Sequence, residues 1–135
     1  TAEDVVCSGY ASSIGIMLAP NARRREAAVD LMDGLGIGEL RARPFLTLSF
    51  GERRKVLLAR GLVHNPEILI LDEIWSGLDA PFRATLQAIL DALVASGTTV
   101  IVISHHDDDL PAFVRRECVV ANGTVTTPAV TALGS

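Results

Sequence analysis

The sequence predicts an α/β protein: part of a parallel sheet, preceded by a helical subdomain and closed by a β-hairpin. Three observations carry this. Ile68-Leu69-Ile70-Leu71 and Thr99-Val100-Ile101-Val102-Ile103 are apolar runs of strand length without polar alternation, the pattern of strands covered on both faces of a parallel sheet. Between them, Phe82, Leu86, Ile89, Leu90, Leu93 and Val94 repeat at helical spacing, so strand, helix and strand form one βα crossover unit. Everything before residue 67 reads as helices and turns. The expected division is residues 1–66 helical, 67–127 α/β, and 128–135 a loose tail.

The 135 residues suffice for one domain but are few for an open sheet covered on both faces. With 49% apolar residues and a mean hydropathy of +0.36, the chain is richer in buried-type residues than a self-contained domain needs. A missing neighbour would explain that excess. The net charge is −4, and basic residues cluster only at Arg23-Arg24-Arg25 and Arg53-Arg54-Lys55, which argues against a nucleic-acid partner. Cys7 and Cys118 stand far apart, so neither a CxxC redox site nor a metal knuckle is expected, and reduced thiols fit a cytosolic protein. No apolar run approaches the roughly 18 residues that span a bilayer, and the acidic opening is unlike a secretory signal.

In chain order, Thr1-Ala2-Glu3-Asp4 suits a helix N-terminus, and a helical segment is expected to continue toward Pro20. Asn21 caps a second helix with Ala27, Ala28, Leu31, Met32 and Leu35 on one face; Gly34 and Gly36 stop it, and its opening arginines form a solvated face. After a short helical turn and a loop, Leu48-Ser49-Phe50-Gly51-Glu52 opens a third helix, which Asn65-Pro66 closes. Ser49 and Glu52 have capping-box spacing, a purely structural account. The free amides, small Gly51 and positive helix end also make a phosphate site, and both accounts remain open.

The first strand ends in Asp72-Glu73, at the edge where open α/β sheets bind ligands. A strand ending in Asp is the Walker B arrangement of nucleotide hydrolases: the Asp holds Mg2+ through its shell, and the next carboxylate orients a water. Ile74-Trp75-Ser76-Gly77-Leu78-Asp79 is a turn, with Trp75 read as a surface or interface aromatic; Pro81 starts the fourth helix and Gly97 ends it. The second strand runs into Ser104-His105-His106, and Asp107-Asp108-Asp109 starts a further helix, a better account of those acids than a metal cluster with His106. Asn122-Gly123 is a hairpin turn between Cys118 to Ala121 and Thr124 to Thr126.

In order and spacing, Leu48-Ser49-Phe50-Gly51-Glu52, Ile70-Leu71-Asp72-Glu73, Ser76-Gly77-Leu78-Asp79 and Ser104-His105 resemble the signature motif, Walker B, D-loop and switch histidine of ABC-type ATPases, the nucleotide-binding domains of ABC transporters. The likeness covers the C-terminal portion of such a domain, so the sheet is expected to be part of a P-loop-type sheet. The paired histidines also look like the soluble, molybdate-transport-associated branch.

The resemblance implies ATP and Mg2+ as cofactors. Asp72 would lie in the Mg2+ shell, Glu73 would be the general base, and His105 would contact the γ-phosphate. Ser49, Phe50, Gly51 and Glu52 would face the nucleotide of a second ATPase subunit, head to tail, with Asp79 on the same seam. It further implies a cytoplasmic protein, peripheral at the inner face of the membrane when a permease is the partner. Three departures stand out: Phe50 where the family has Gly, Glu52 where it has Gln, and Ile74-Trp75 where it has Pro-Thr. The sequence also contains no Gly-x-x-x-x-Gly-Lys-[Ser/Thr] loop. A P-loop half is therefore expected upstream in a longer chain or on another polypeptide, and this portion alone is expected to hydrolyse nothing. The alternatives are a degenerate, non-hydrolysing interaction module, and a soluble ABC ATPase outside transport, which would need long coiled-coil insertions not visible here.

Overall fold

The computed structural model describes residues 1–11, 21–104, 111 and 113–127. Helix α1 (Ala2–Cys7) starts from a full capping box, in which the Thr1 hydroxyl accepts the Asp4 N–H while the Asp4 carboxylate takes the Thr1 ammonium. A 3-10 turn, Ser8–Ala11, follows. A Cβ on Gly9 would stand 2.2 Å from the Arg60 carbonyl oxygen, so only glycine lets this turn lie against the next helices.

Helix α2 (Ala22–Gly34) is capped by Asn21, whose Oδ1 accepts the Arg24 N–H at 2.9 Å, and Gly36 leaves it at φ +68°. Its arginines are exposed, as a solvated face requires, yet two have partners: Arg25 pairs with Glu3 and Asp4, and Arg24 lies over the Tyr10 ring. Helix α3 (Phe50–Leu62) turns Val56, Ala59 and Leu62 inward. Together with Ala2, Val6 and Cys7 of α1 and Met32 of α2, these form the helical part of the core. Burial pushes the Cys7 thiol pKa up, and both Cys7 and the exposed Cys118 are free.

Strand β1 (Ile68–Asp72) pairs in parallel with β2 (Thr99–Ile103), in a register that sets Ile68 opposite Thr99 and Asp72 opposite Ile103. Helix α4 (Ala80–Ala95) makes the crossover: Asp79 caps it, Pro81 fits its first turn, and Phe82, Leu86 and Leu90 are buried. Strands β3 (Val119–Ala121) and β4 (Thr124–Thr126) form the expected hairpin, with Asn122 and Gly123 both at positive φ in its turn. One continuous cluster of buried hydrophobic residues runs from Ala2 to Leu90 across helices and sheet.

Two expectations are corrected. The strands are covered on one face only: Leu69 and Leu71 are buried, whereas Ile68 and Ile70 are each 61% exposed, with Ile101 at 45% and Ile103 at 49%. Among the described residues nothing lies over that second face, so the unbroken apolar runs are double-sided in sequence and single-sided in packing. Trp75 is not a surface aromatic but a core residue, 6% exposed. It belongs to the same buried cluster as Ile74, Leu78 and Phe82. The segment toward Pro20 beyond residue 11, the helix expected from Asp107, and the tail from Pro128 lie outside the described residues.

Candidate functional site

Because β1 and β2 are parallel and in register, Asp72 and Ser104 leave the sheet at the same edge. Asp72 is exposed there. His105 and His106, with Asp107 to Asp109, lie outside the described residues. Glu73 follows in a left-handed conformation, φ +48°, which costs a non-glycine residue about 1–2 kcal/mol. Its backbone is held on both sides. The Glu73 N–H donates to the Ile103 carbonyl at 2.9 Å, and the Glu73 carbonyl accepts the Arg54 guanidinium and the Ser76 N–H, the latter at 3.3 Å.

The N-terminus of α3 is the second part of the site. Both halves of the capping box are made: the Glu52 N–H reaches Ser49 Oγ at 3.3 Å, and the Ser49 N–H reaches Glu52 Oε2 at 2.7 Å. These bonds and the Arg43 guanidinium, paired with Glu52, hold the Glu52 carboxyl below its usual pKa. The structural account of Ser49 and Glu52 is thus present in full. Phe50 is 70% exposed, yet one edge of its ring lies over the next turn, 3.6 Å from where a Gly77 Cβ would stand. A Cβ on Gly51 would meet the Gly77 carbonyl at 3.5 Å, an ordinary contact, so packing within the chain does not demand glycine at 51.

Asp79 sits where that turn meets α4. Its Oδ1 caps the helix by accepting the Phe82 N–H at 3.0 Å, and its other oxygen pairs with Lys55 of α3. Both interactions, the Lys55 bond first, lower its pKa. A concavity of about 600 Å³ opens between α3 and the end of β1, lined by Phe50, Arg53, Arg54, Leu57, Asp72 and Ile74 among others. No group of three or more His, Cys, Asp or Glu side chains that would hold a metal forms among the described residues. A single exposed carboxylate at a strand end suits Mg2+ bound through one carboxylate, waters and substrate phosphates, and does not suit an all-protein cage.

The structure therefore brings together Ser49, Phe50, Gly51 and Glu52 with the Gly77 turn, and Asp72 with Glu73 at the sheet edge. Three partners were missed in the sequence: Arg54 for Glu73, Lys55 for Asp79 and Arg43 for Glu52. The spacing of Phe50, Arg54 and Leu57 along one helix stripe is the one signal that places Arg54 beside the signature turn.

A family model described as ABC transporter matches residues 3–76, more than half of the chain. The chain belongs to the ABC transporter family. Among curated relatives it is 40% identical over 114 residues to the ABC transporter ATP-binding protein ModF of Escherichia coli, covering 83% of this chain and 23% of that protein. It is 39% identical over 104 residues to the daunorubicin/doxorubicin resistance ATP-binding protein DrrA of Streptomyces peucetius, covering 77% and 32%. Among solved structures, a dimeric bacterial ABC transporter cassette matches with a TM-score of 0.72 at 25% identity, over 94% of this chain and 56% of that one. The ADP conformation of an ATP-binding cassette of an ABC transporter matches with a TM-score of 0.70 at 20% identity, over 93% and 52%, and shows the fold alone. The chain thus spans less than half the length of these curated relatives and about half of these cassettes. Its parallel sheet and closing hairpin are those of the ABC ATPase fold. Among the described residues no helix is long and apolar enough to cross a membrane.

Proposed function

We propose that this chain is the signature-to-switch portion of an ATPase that binds and hydrolyses ATP in a head-to-tail pair with a second such subunit or domain, and so drives transport. The observation that carries the reading is the adjacency of Asp72 and Glu73 at the C-terminal edge of a parallel strand pair, with the signature turn of α3 packed on the turn that follows. Residues 1–66 serve as the helical subdomain, 67–127 as the α/β portion, and 128–135 as a tail. A P-loop half, upstream or on another polypeptide, completes the nucleotide site and covers the isoleucine face of the sheet. A membrane permease is the partner that transport requires, which places the protein in the cytoplasm at the inner face of the membrane.

Within that site Asp72 would hold Mg2+, which would supply neutralisation of phosphate charge. Glu73 accepts a proton from the attacking water as the water oxygen bonds to the γ-phosphorus and the bond to the ADP oxygen breaks. His105 contacts the γ-phosphate. Ser49, Phe50, Gly51 and Glu52 face the nucleotide held by the second subunit, and Asp79 lies along that seam while still capping α4. The Arg43–Glu52 pair offsets the added carboxylate of the signature.

A second reading, a non-hydrolysing interaction module, draws on Glu52: it closes the α3 N-terminus against an incoming phosphate. The test is Glu73→Gln in the cassette completed with a P-loop half. We expect ATP binding at parental affinity and turnover reduced by at least about a hundredfold, because the amide keeps shape and hydrogen bonding but removes the base. Turnover equal to the parent would reassign Glu73, and a parent cassette that binds a partner but never releases phosphate would favour the module.

A further inference from the structure

We propose that Arg54 is a positioning residue for Glu73: from the second turn of α3 its guanidinium holds the Glu73 carbonyl and so fixes the direction in which the Glu73 carboxylate leaves the sheet edge. The inference rests on the reading of Glu73 as the base. Glu73 sits at φ +48°, a conformation that non-glycine residues keep only where their surroundings fix it. Among the described residues three backbone contacts help to do so. From β2 the Ile103 carbonyl takes the Glu73 N–H at 2.9 Å; from the following turn the Ser76 N–H reaches the Glu73 carbonyl at a long 3.3 Å; from α3 Arg54 Nη2 donates to that same carbonyl.

The Arg54 bond is charge-assisted and the Ser76 bond is beyond the usual N–H···O range, so Arg54 is the stronger hold. Fixing the peptide on each side of Glu73 fixes φ and ψ, and these set where Cβ points. The Cα–Cβ bond from which the carboxylate extends is thereby set by two separate elements, β2 and α3. Among the described residues the carbonyl is the one hydrogen-bond partner of the Arg54 guanidinium, which is half-buried in the concavity shared with Asp72. A long cation is ordered here on a neutral oxygen, at a cost in side-chain entropy. Since Ser49 caps α3 and Arg54 lies on its second turn, a displacement of the signature end would reach the Glu73 backbone directly through the Arg54 side chain.

The experiment compares Arg54→Ala and Arg54→Lys with the parent in the completed cassette. Arg54→Ala should lower kcat by about ten- to a hundredfold, the range for a misplaced group, with KM for ATP changed by less than about twofold. Arg54→Lys keeps a charged donor and should recover part of kcat. By amide hydrogen exchange, Arg54→Ala should expose the Glu73 and Ser76 amides while the β1–β2 ladder before Asp72 keeps its protection. An active parent whose Arg54→Ala variant keeps kcat, loses only KM, or shows unchanged exchange at Glu73 would overturn the inference and leave the ATPase reading standing. A parent without turnover would overturn that reading, and this role with it.

Discussion

Replacing Ile70 and Ile101 together by threonine should leave the chain by itself almost as stable as before and yet weaken its union with a P-loop half. Ile70 is 61% exposed and Ile101 45% exposed, so each still has apolar surface to bury. Complete burial of such a side chain is worth about 1.5–3 kcal/mol, so covering the exposed fractions gains about 1–2 kcal/mol at Ile70 and about 0.7–1.3 kcal/mol at Ile101. Threonine keeps the β-branch that a strand favours but swaps apolar reach for a hydroxyl that would be covered without a partner. A combined loss of about 2–3 kcal/mol is a fall of about 30- to 140-fold in association constant. The assay is sedimentation of the chain with a separately produced P-loop half, beside urea unfolding of the chain alone, at concentrations where light scattering reports monomer. The chain alone should change by about 0.5 kcal/mol or less, the usual size for exposed positions. Parental affinity for the P-loop half, or a loss in the chain alone equal to that in the complex, would refute the claim that the isoleucine face awaits a cover.

Other outcomes follow from the geometry. Ser49→Ala removes the acceptor of the Glu52 N–H and should cost about 1 kcal/mol in urea unfolding, with Ser49→Gly costing less. Leu86→Ala empties a fully buried position of α4 and should cost about 2–5 kcal/mol, read from the same curves. Glu52 and Asp79 both have pKa values lowered by folding, so their contribution is fully present above their ordinary carboxylate values and is lost as pH falls through the lowered ones. The urea midpoint should therefore fall with acidification below about pH 5, less steeply in Glu52→Gln; a midpoint that rises toward pH 3 would contradict the sign.

Much of this fold was legible because local chemistry and tertiary packing agree. Asn21, Ser49 and Asp79 each cap the helix that their position announces, and Asn122-Gly123 makes its hairpin. Asp72 and Glu73 were legible as candidates because two adjacent carboxylates end an apolar strand, and the parallel pairing with β2 sets Asp72 at the sheet edge. What stayed hidden were relations between elements. Ile68 and Ile70 carry the same side chain whether a face is covered or bare, so the runs said nothing about which face this chain fills. Trp75 was read as a surface or interface aromatic because a turn usually lies at the surface; here Ile74, Trp75 and Leu78 are buried while Ser76 and Gly77 stay exposed. Arg54 and Lys55 stood out only as part of a basic cluster and Arg43 not at all, since a linear pattern does not mark which oxygen 19, 24 or 9 residues away a long side chain will meet.

Trp75 has one more use. It is the single tryptophan of the sequence, two residues past Glu73, and its Nε1 is buried without a hydrogen-bond acceptor among the described residues, while its carbonyl is tied to Arg83 at 2.6 Å. An indole in that state emits at short wavelength, and admission of water to Nε1 moves the emission to the red. The turn that carries the carboxylate thus holds its own optical reporter. Any event that loosens residues 73–78, whether nucleotide, partner or substitution, would be written in the colour of one unlabelled side chain, with no second tryptophan in this chain to blur it.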